Sequence, residues 1–120
     1  MLCAVICAGL WACGGNDNYA SKEAAPANDV TNDPAFIAGR DLVAKSDCIT
    51  CHKIDEVSTG PAYRKVAEKY PNTPENIAML SEKVIKGGSG NWGTIPMLAH
   101  PNLKQEDAEA MVKYILMLKK

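Results

Sequence analysis

The strongest constraint in this sequence is a C-x-x-C-H motif formed by Cys48, Cys51 and His52. Two thiols three residues apart, followed directly by an imidazole, have the spacing of covalent haem c attachment. Both thiols would add to the haem vinyl groups, and His52 would bind the iron through one ring nitrogen. The C-x-x-C pair also occurs in dithiol redox centres and in zinc sites, and a zinc site here would add His52 and His100.

The length and composition of the chain limit it to one small domain. It has 120 residues, a net charge of −1 and 47% hydrophobic residues, many of them in the first dozen positions. A domain of this size buries little surface and often needs a covalent cross-link or a bound metal for stability, which a covalently held haem would provide. The nearly balanced charge gives no indication of nucleic-acid binding.

The first residues resemble a bacterial export signal. Residues 1–12 contain an apolar run that is too short for a membrane span, which takes about 20 residues. Cys13 follows in the position of the lipobox cysteine, where the chain is cleaved and a lipid is attached to the thiol. Trp11 is bulkier than the residue usual there, so an ordinary signal peptide cut near Ala12 or Ala20 is the alternative. Either interpretation predicts export to the periplasm, and the first predicts a membrane-anchored lipoprotein.

The remainder of the chain divides into a tether and a folded domain. Residues 13–32 are rich in Asn, Ala, Asp and Ser without a hydrophobic period, which predicts a flexible tether. Residues 33–120 predict the domain, with no strand and with a long functional loop over residues 89–102. Apolar periodicity with cap and stop signals predicts four helices, at about residues 34–45, 61–69, 74–86 and 105–118.

Taken together, these elements resemble a small bacterial class I cytochrome c over about residues 34–120. Besides the C-x-x-C-H motif, the resemblance rests on Gly60-Pro61-Ala62-Tyr63, on Trp92-Gly-Thr-Ile-Pro96-Met97, and on a final helix that carries Tyr114. It implies an all-α fold of about four short helices around one covalently bound haem c. The protein is expected to be a monomer.

The resemblance also implies the iron ligands and the residue that orients one of them. His52 is the proximal ligand, and Met97 is the distal ligand whose soft thioether raises the reduction potential. The carbonyl of Pro61 accepts the other imidazole N–H, which fixes the tautomer and the ring orientation of His52. His52 and Met97 are therefore the expected metal ligands.

Further roles follow from the same resemblance. Trp92 would donate its indole N–H to a haem propionate, and Lys83 or Lys86 would help to neutralise the propionate charge. Gly39 and Tyr114 would mark a close crossing of the first and last helices. Trp92 completes the expected set of cofactor-binding residues, whose other members are Cys48, Cys51, His52, Pro61 and Met97.

The sequence departs from the family pattern just after Met97. Members of this type often have an Asn shortly after the ligand, hydrogen-bonded to its sulfur, whereas this chain has His100, Pro101 and Asn102. Either Asn102 takes that role through a one-residue insertion, or the sulfur lacks the partner. His100 is expected to be a surface loop residue, with iron ligation as the alternative.

The implied function is that of a one-electron carrier and not an enzyme, because two strong protein ligands leave no open coordination position. Its partners would be redox proteins: a donor of the quinol:cytochrome c reductase type and a terminal oxidase or reductase as acceptor. The alternatives are a haem subunit of an enzyme complex and a ligand-binding haem sensor in which Met97 dissociates. The expected docking surface consists of Ile49, Ser58, Thr94, Ile95, Leu98 and Ala99.

Overall fold

The computed structural model describes residues 29–120. The predicted export signal, the lipobox Cys13 and most of the tether therefore lie outside the described residues. Within residues 29–120, no helix is long and apolar enough to cross a membrane. The elements in chain order are α1 (Pro34–Lys45), α2 (Tyr63–Lys69), α3 (Pro74–Lys86), β1 (Gly88–Gly90), β2 (Gly93–Met97) and α4 (Gln105–Met117), with 3-10 turns at Val30–Asn32 and Asp47–Thr50.

The helices begin where the sequence places their caps. The Asp33 carboxylate accepts a 2.7 Å hydrogen bond from the backbone N–H of Ala35, and Pro34 occupies the first position of α1. The Thr73 hydroxyl caps α3 in the same way, ahead of Pro74. The predicted bounds of α1 and α3 are confirmed, while α2 begins two residues later than predicted and α4 ends one residue earlier.

The first and last helices cross closely at Gly39, as the resemblance implies. A Cβ atom built on Gly39 would lie 2.6 Å from Tyr114 Cβ and still closer to the carbonyl oxygen of Ala110. No side chain fits that space. The Phe36 and Tyr114 rings meet edge to face beside the crossing, with centroids 4.9 Å apart.

The core lies between α1, α2 and α4. Its buried cluster consists of Phe36, Val43, Tyr63, Met111 and Tyr114. These side chains come from α1, α2 and α4, which joins the three helices around one apolar interior. The helical packing confirms the predicted all-α fold and leaves one side of the interior open to the cavity described below.

The prediction of no strand was wrong, because residues 88–97 form a two-stranded antiparallel hairpin. Gly88 pairs with Met97 and Gly90 pairs with Gly93. The strands are only three and five residues long and mostly exposed, so they lack the alternation of apolar and polar residues that identifies a strand. Positive φ angles at Gly88, Gly90 and Gly93 shape the hairpin instead.

Candidate functional site

A cavity of about 390 Å³ is lined by the residues that the motif and the resemblance predicted for haem binding. Cys48, Cys51 and His52 line it from the segment that follows α1, and Trp92 and Met97 line it from the hairpin. Much of the remaining wall is apolar, as a largely hydrophobic prosthetic group requires. The apolar lining includes Val43, Val66, Leu80, Val84, Met111 and Ile115.

A 3-10 turn brings the three motif residues to the cavity. Asp47–Thr50 adopts this turn directly after α1, and the carbonyl of Cys48 accepts hydrogen bonds from the backbone N–H groups of Cys51 and His52. The tight turn brings residues 48, 51 and 52 together at one wall. The turn therefore places the two thiols and the imidazole of the motif at the same wall of the cavity.

The His52 ring is oriented by the carbonyl of Pro61. Nδ1 of His52 lies 2.8 Å from that carbonyl oxygen. Because a carbonyl only accepts, Nδ1 carries the proton, and Nε2 is left with the lone pair that a metal needs. The Tyr63 ring stacks on the imidazole, with centroids 5.1 Å apart and an interplanar angle of 17°.

Gly60 contacts the imidazole in a way that the sequence did not predict. A Cβ atom at Gly60 would lie 2.8 Å from Nδ1 of His52 and 2.9 Å from Nε2, where no real Cβ fits. The backbone N–H of Gly60 also donates a 2.8 Å hydrogen bond to the carbonyl of Cys51. Gly60 thus holds its own segment against the motif and leaves room for the ring. The only sequence signal was a glycine immediately before Pro61.

The two motif cysteines are free thiols, and both are half-buried. Burial, with a smaller effect from the Asp47 carboxylate, raises the pKa of the Cys48 thiol. Redox-active pairs have a lowered pKa at one cysteine instead, so the direction at Cys48 does not support a dithiol redox centre.

A zinc site at the motif is also not formed. Among residues 29–120, no three His, Cys, Asp or Glu side chains are grouped closely enough to hold a metal ion. His100, the fourth ligand of the zinc hypothesis, turns its nitrogens to other partners: Nδ1 lies 3.2 Å from the carbonyl oxygen of Val84, and Nε2 lies 3.2 Å from Asp47 Oδ1.

Met97 lies at the end of β2, where its backbone packs against Gly87. Gly87 has φ of +70°, which favours glycine, and ends α3 as predicted. A Cβ atom there would lie 2.8 Å from the backbone nitrogen of Ala99 and closer still to the carbonyl oxygen of Met97. The sequence predicted the helix end but not this contact, which positions the backbone of the predicted distal ligand.

The indole of Trp92 lies at the cavity with 44% of the residue exposed, so it is not a core residue. Lys69, which the sequence did not single out, holds its Nζ 4.5 Å from the centre of a Trp92 ring. The same Nζ donates a 3.1 Å hydrogen bond to the carbonyl oxygen of Asn91. These contacts anchor the tip of the hairpin to the end of α2.

The two candidate propionate lysines differ in position. Lys83 lines the cavity. Lys86 points to solvent, with 71% of its side chain exposed, and forms an ion pair with Glu82 one helical turn away. Asn102, the candidate partner for the Met97 sulfur, is exposed and does not line the cavity, whereas His100 does.

The residues around the cavity fit a covalently bound haem. The wall supplies two free thiols at the motif spacing, an imidazole whose Nε2 is available, and a thioether on Met97. Nitrogen and thioether ligands suit haem iron, and the apolar lining suits the macrocycle. No other grouping among the described residues offers this donor set with an adjoining cavity.

Comparison with known proteins agrees with this chemistry. The cytochrome c family model matches residues 36–119. The chain is 39% identical to cytochrome c-552 of Nitrosomonas europaea over 68% of its own length and 80% of that protein, and 39% identical to cytochrome c-551 of Allochromatium vinosum over 69% and 88%. The crystal structure of N. europaea cytochrome c552 superposes with a TM-score of 0.62, covering 67% of this chain and 99% of the other.

The match spans the whole helical domain and includes the motif, the cavity and the Met97 segment. Both relatives are covered over most of their length, so the likeness concerns a complete small domain. The chain therefore belongs to the cytochrome c family: it is a small class I cytochrome with one covalently bound haem c, an electron carrier and not an enzyme.

Proposed function

We propose that this protein is a one-electron carrier of the bacterial cell envelope with His52 and Met97 as the two axial iron ligands. The observation that carries the proposal is that the available Nε2 of His52 and the thioether of Met97 belong to one cavity, beside both motif cysteines. Bound haem supplies an iron that alternates between the ferric and ferrous states. Met97 favours the ferrous state and so raises the potential relative to a second histidine.

Rigid attachment of both ligands suits electron transfer, because little rearrangement then accompanies the change in charge. The Pro61 carbonyl holds the His52 ring in one tautomer. Gly60 and Gly87 allow backbone to pack directly on the two ligand segments. We assign Lys83, which lines the cavity, and Trp92 as the partners of the haem propionates, with Lys86 engaged by Glu82 instead.

The docking surface proposed for redox partners consists of exposed residues, two of which, Ile95 and Leu98, also line the cavity. Ile49, Ile95 and Leu98 are 52%, 63% and 73% exposed, a high fraction for large apolar side chains in a small protein. Ser58, Thr94 and Ala99 are exposed as well. A small apolar patch supports brief encounters, which a donor of the quinol:cytochrome c reductase type and an oxidase or reductase acceptor require.

We further propose that the protein is held at the periplasmic face of a membrane by a lipid on Cys13. The support is the apolar run in residues 1–12, the lipobox-like position of Cys13 and the Asn-rich segment before the domain. Mass spectrometry of protein purified from cell envelopes should give an N-terminal Cys13 with an added diacylglyceryl mass. A mature chain that starts beyond Cys13, or an unmodified Cys13, would reject the anchor.

Carbon monoxide titration of the reduced protein tests the carrier function against the haem-sensor alternative. Carbon monoxide needs an open coordination position on ferrous iron, and a carrier with Met97 firmly bound does not provide one. We expect the absorption spectrum of the native protein to remain unchanged at saturating carbon monoxide, while a Met97→Ala variant binds it. Ready binding to the native protein would favour a sensor with a dissociable Met97.

A further inference from the structure

The segment that follows Met97 is fastened to two other parts of the molecule by His100. Its backbone N–H donates a 3.0 Å hydrogen bond to the carbonyl of Ile85 in α3. Its ring reaches the carbonyl oxygen of Val84 through Nδ1 and the carboxylate of Asp47 through Nε2, each at 3.2 Å. The His100 side chain is only 25% exposed, although it lies in a loop.

The Asp47 contact links the two walls of the cavity. Asp47 begins the 3-10 turn that carries Cys48, and His100 lies three residues after Met97. Both residues line the cavity. Only the imidazole can donate in these two contacts, since a carboxylate and a carbonyl only accept. A neutral ring donates to one of them at a time, and a protonated ring donates to both.

We propose that His100 and Asp47 form a clasp, here called the His100–Asp47 clasp, that holds the Met97 segment closed over the haem. His100 is then a positioning residue that acts on iron through Met97 and does not itself touch the iron. The proposal rests on the proposed function, because it assumes that Met97 is an iron ligand.

The surroundings of the clasp support this role. Leu98 is 73% exposed, and Ala99, Pro101 and Asn102 are exposed too, so the side chains next to His100 add little packing that would hold the segment down. Movement of its segment would carry Met97 away from the iron. A contact from that segment to the haem-attachment turn therefore opposes the movement directly, and its loss should raise the population of the open form.

Binding of free imidazole to the ferric protein measures that population. Imidazole binds only where Met97 has left, so its apparent affinity scales with the fraction of open protein. The measurement is made at a pH where imidazole is neutral, so that a change in protein charge does not alter the electrostatic attraction of imidazole to the site. We expect His100→Leu and Asp47→Ala each to raise the apparent affinity by about two- to tenfold, the range for the net loss of one hydrogen bond.

The double variant and a matched control make the test specific. His100→Leu combined with Asp47→Ala should bind imidazole no more tightly than the tighter single variant, because both changes remove the same contact. Glu82→Ala removes a carboxylate from another exposed pair, with Lys86, and should leave the affinity unchanged. Asp47→Ala guards against misfolding, because the Asp47 side chain is 76% exposed and its truncation leaves no buried cavity.

Met97→Ala separates failure of the clasp from failure of the ligand assignment. If Met97→Ala binds imidazole much more tightly while the two clasp variants match the native protein, the clasp is wrong and the ligand stands. If Met97→Ala itself leaves the affinity unchanged, the proposed function fails. Two results would overturn the clasp. One is a clasp variant with a lower melting temperature but an unchanged imidazole affinity, and the other is a double variant whose effect equals the sum of the two single effects. Either result would leave His100 with a structural role alone.

Discussion

Replacing Met97 by histidine should lower the reduction potential by roughly 0.2 V or more, within the ~0.8 V range that axial ligands cover. Histidine keeps the iron six-coordinate but exchanges a thioether, which favours ferrous iron, for an imidazole. Met97 is only partly buried, at the end of a mostly exposed strand, so a polar side chain of similar size has room there. Potentiometric titration of the two proteins under the same conditions gives the difference.

Met97→Ala should leave an open or water-filled coordination position and admit carbon monoxide. The helices should persist, since the haem remains attached through Cys48, Cys51 and His52. Met79→Leu is the matched control, because Met79 lies on α3 with 44% of the residue exposed and does not line the cavity. Its potential should equal that of the native protein. Should Met97→Ala keep the native potential and exclude carbon monoxide, another residue must be the ligand.

Gly87→Ala should cause the second large effect, a loss of about 2–4 kcal/mol in the free energy of unfolding. Two costs combine. An alanine at φ of +70° and ψ of −155° is strained, and its Cβ would overlap the backbone of Met97 and Ala99. For a domain of this size such a loss lowers the melting temperature by roughly 10 °C or more. The displaced Met97 backbone should also lower the reduction potential.

Gly90→Ala is the control that separates the two costs. Gly90 also has a positive φ, of +110°, but nothing lies within 4 Å of a Cβ built on it. We expect Gly90→Ala to lose stability through strain alone and to leave the potential unchanged. Thermal melts and potentiometry on both variants make the comparison. Equal effects from the two variants would show that the contact of Gly87 with Met97 does not matter.

The helices of this protein were predictable because their signals are local. Asp33 and Thr73 each precede a proline at the first helical position, and these caps need no knowledge of the rest of the fold. A glycine in the middle of α1 predicted a close approach by another helix at Gly39, but the identity of that helix was predictable only through the family resemblance. A lone glycine within a helix does not by itself say which partner approaches it.

The hairpin was not predictable because its short, exposed strands lack an alternation of apolar and polar residues, and the glycine contacts near the predicted ligands were not predictable because they depend on tertiary packing. Gly60 contacts the ring of His52, and Gly87 contacts the backbone of Met97. Neither contact follows from a helical or strand periodicity in the sequence. Lys69 reaches Trp92 from α2. The motif predicted the residues of haem attachment and the resemblance predicted that Pro61 orients His52, whereas the contacts of Gly60, Gly87 and Lys69 became visible only in three dimensions.

The contacts of Lys83, Lys86 and His100 also became known only from the fold. Lys83 and Lys86 are three positions apart on α3 and equally basic, so spacing could not choose between them. In the fold, Lys86 pairs with Glu82 and Lys83 lines the cavity. His100 likewise read as an ordinary loop residue until its contacts with Asp47 and Val84 were seen.

Proton NMR of the reduced protein tests the ligation by Met97 most directly. A methionine bound to haem iron holds its methyl group over the face of the macrocycle, where the ring current shifts the methyl signal far upfield. With methionine methyl groups isotopically labelled, we predict one strongly upfield methyl signal, lost in Met97→Ala and retained in Met79→Leu. An upfield signal that survives Met97→Ala, or no upfield methyl signal in the native protein, would contradict the assignment of Met97 as the sixth ligand.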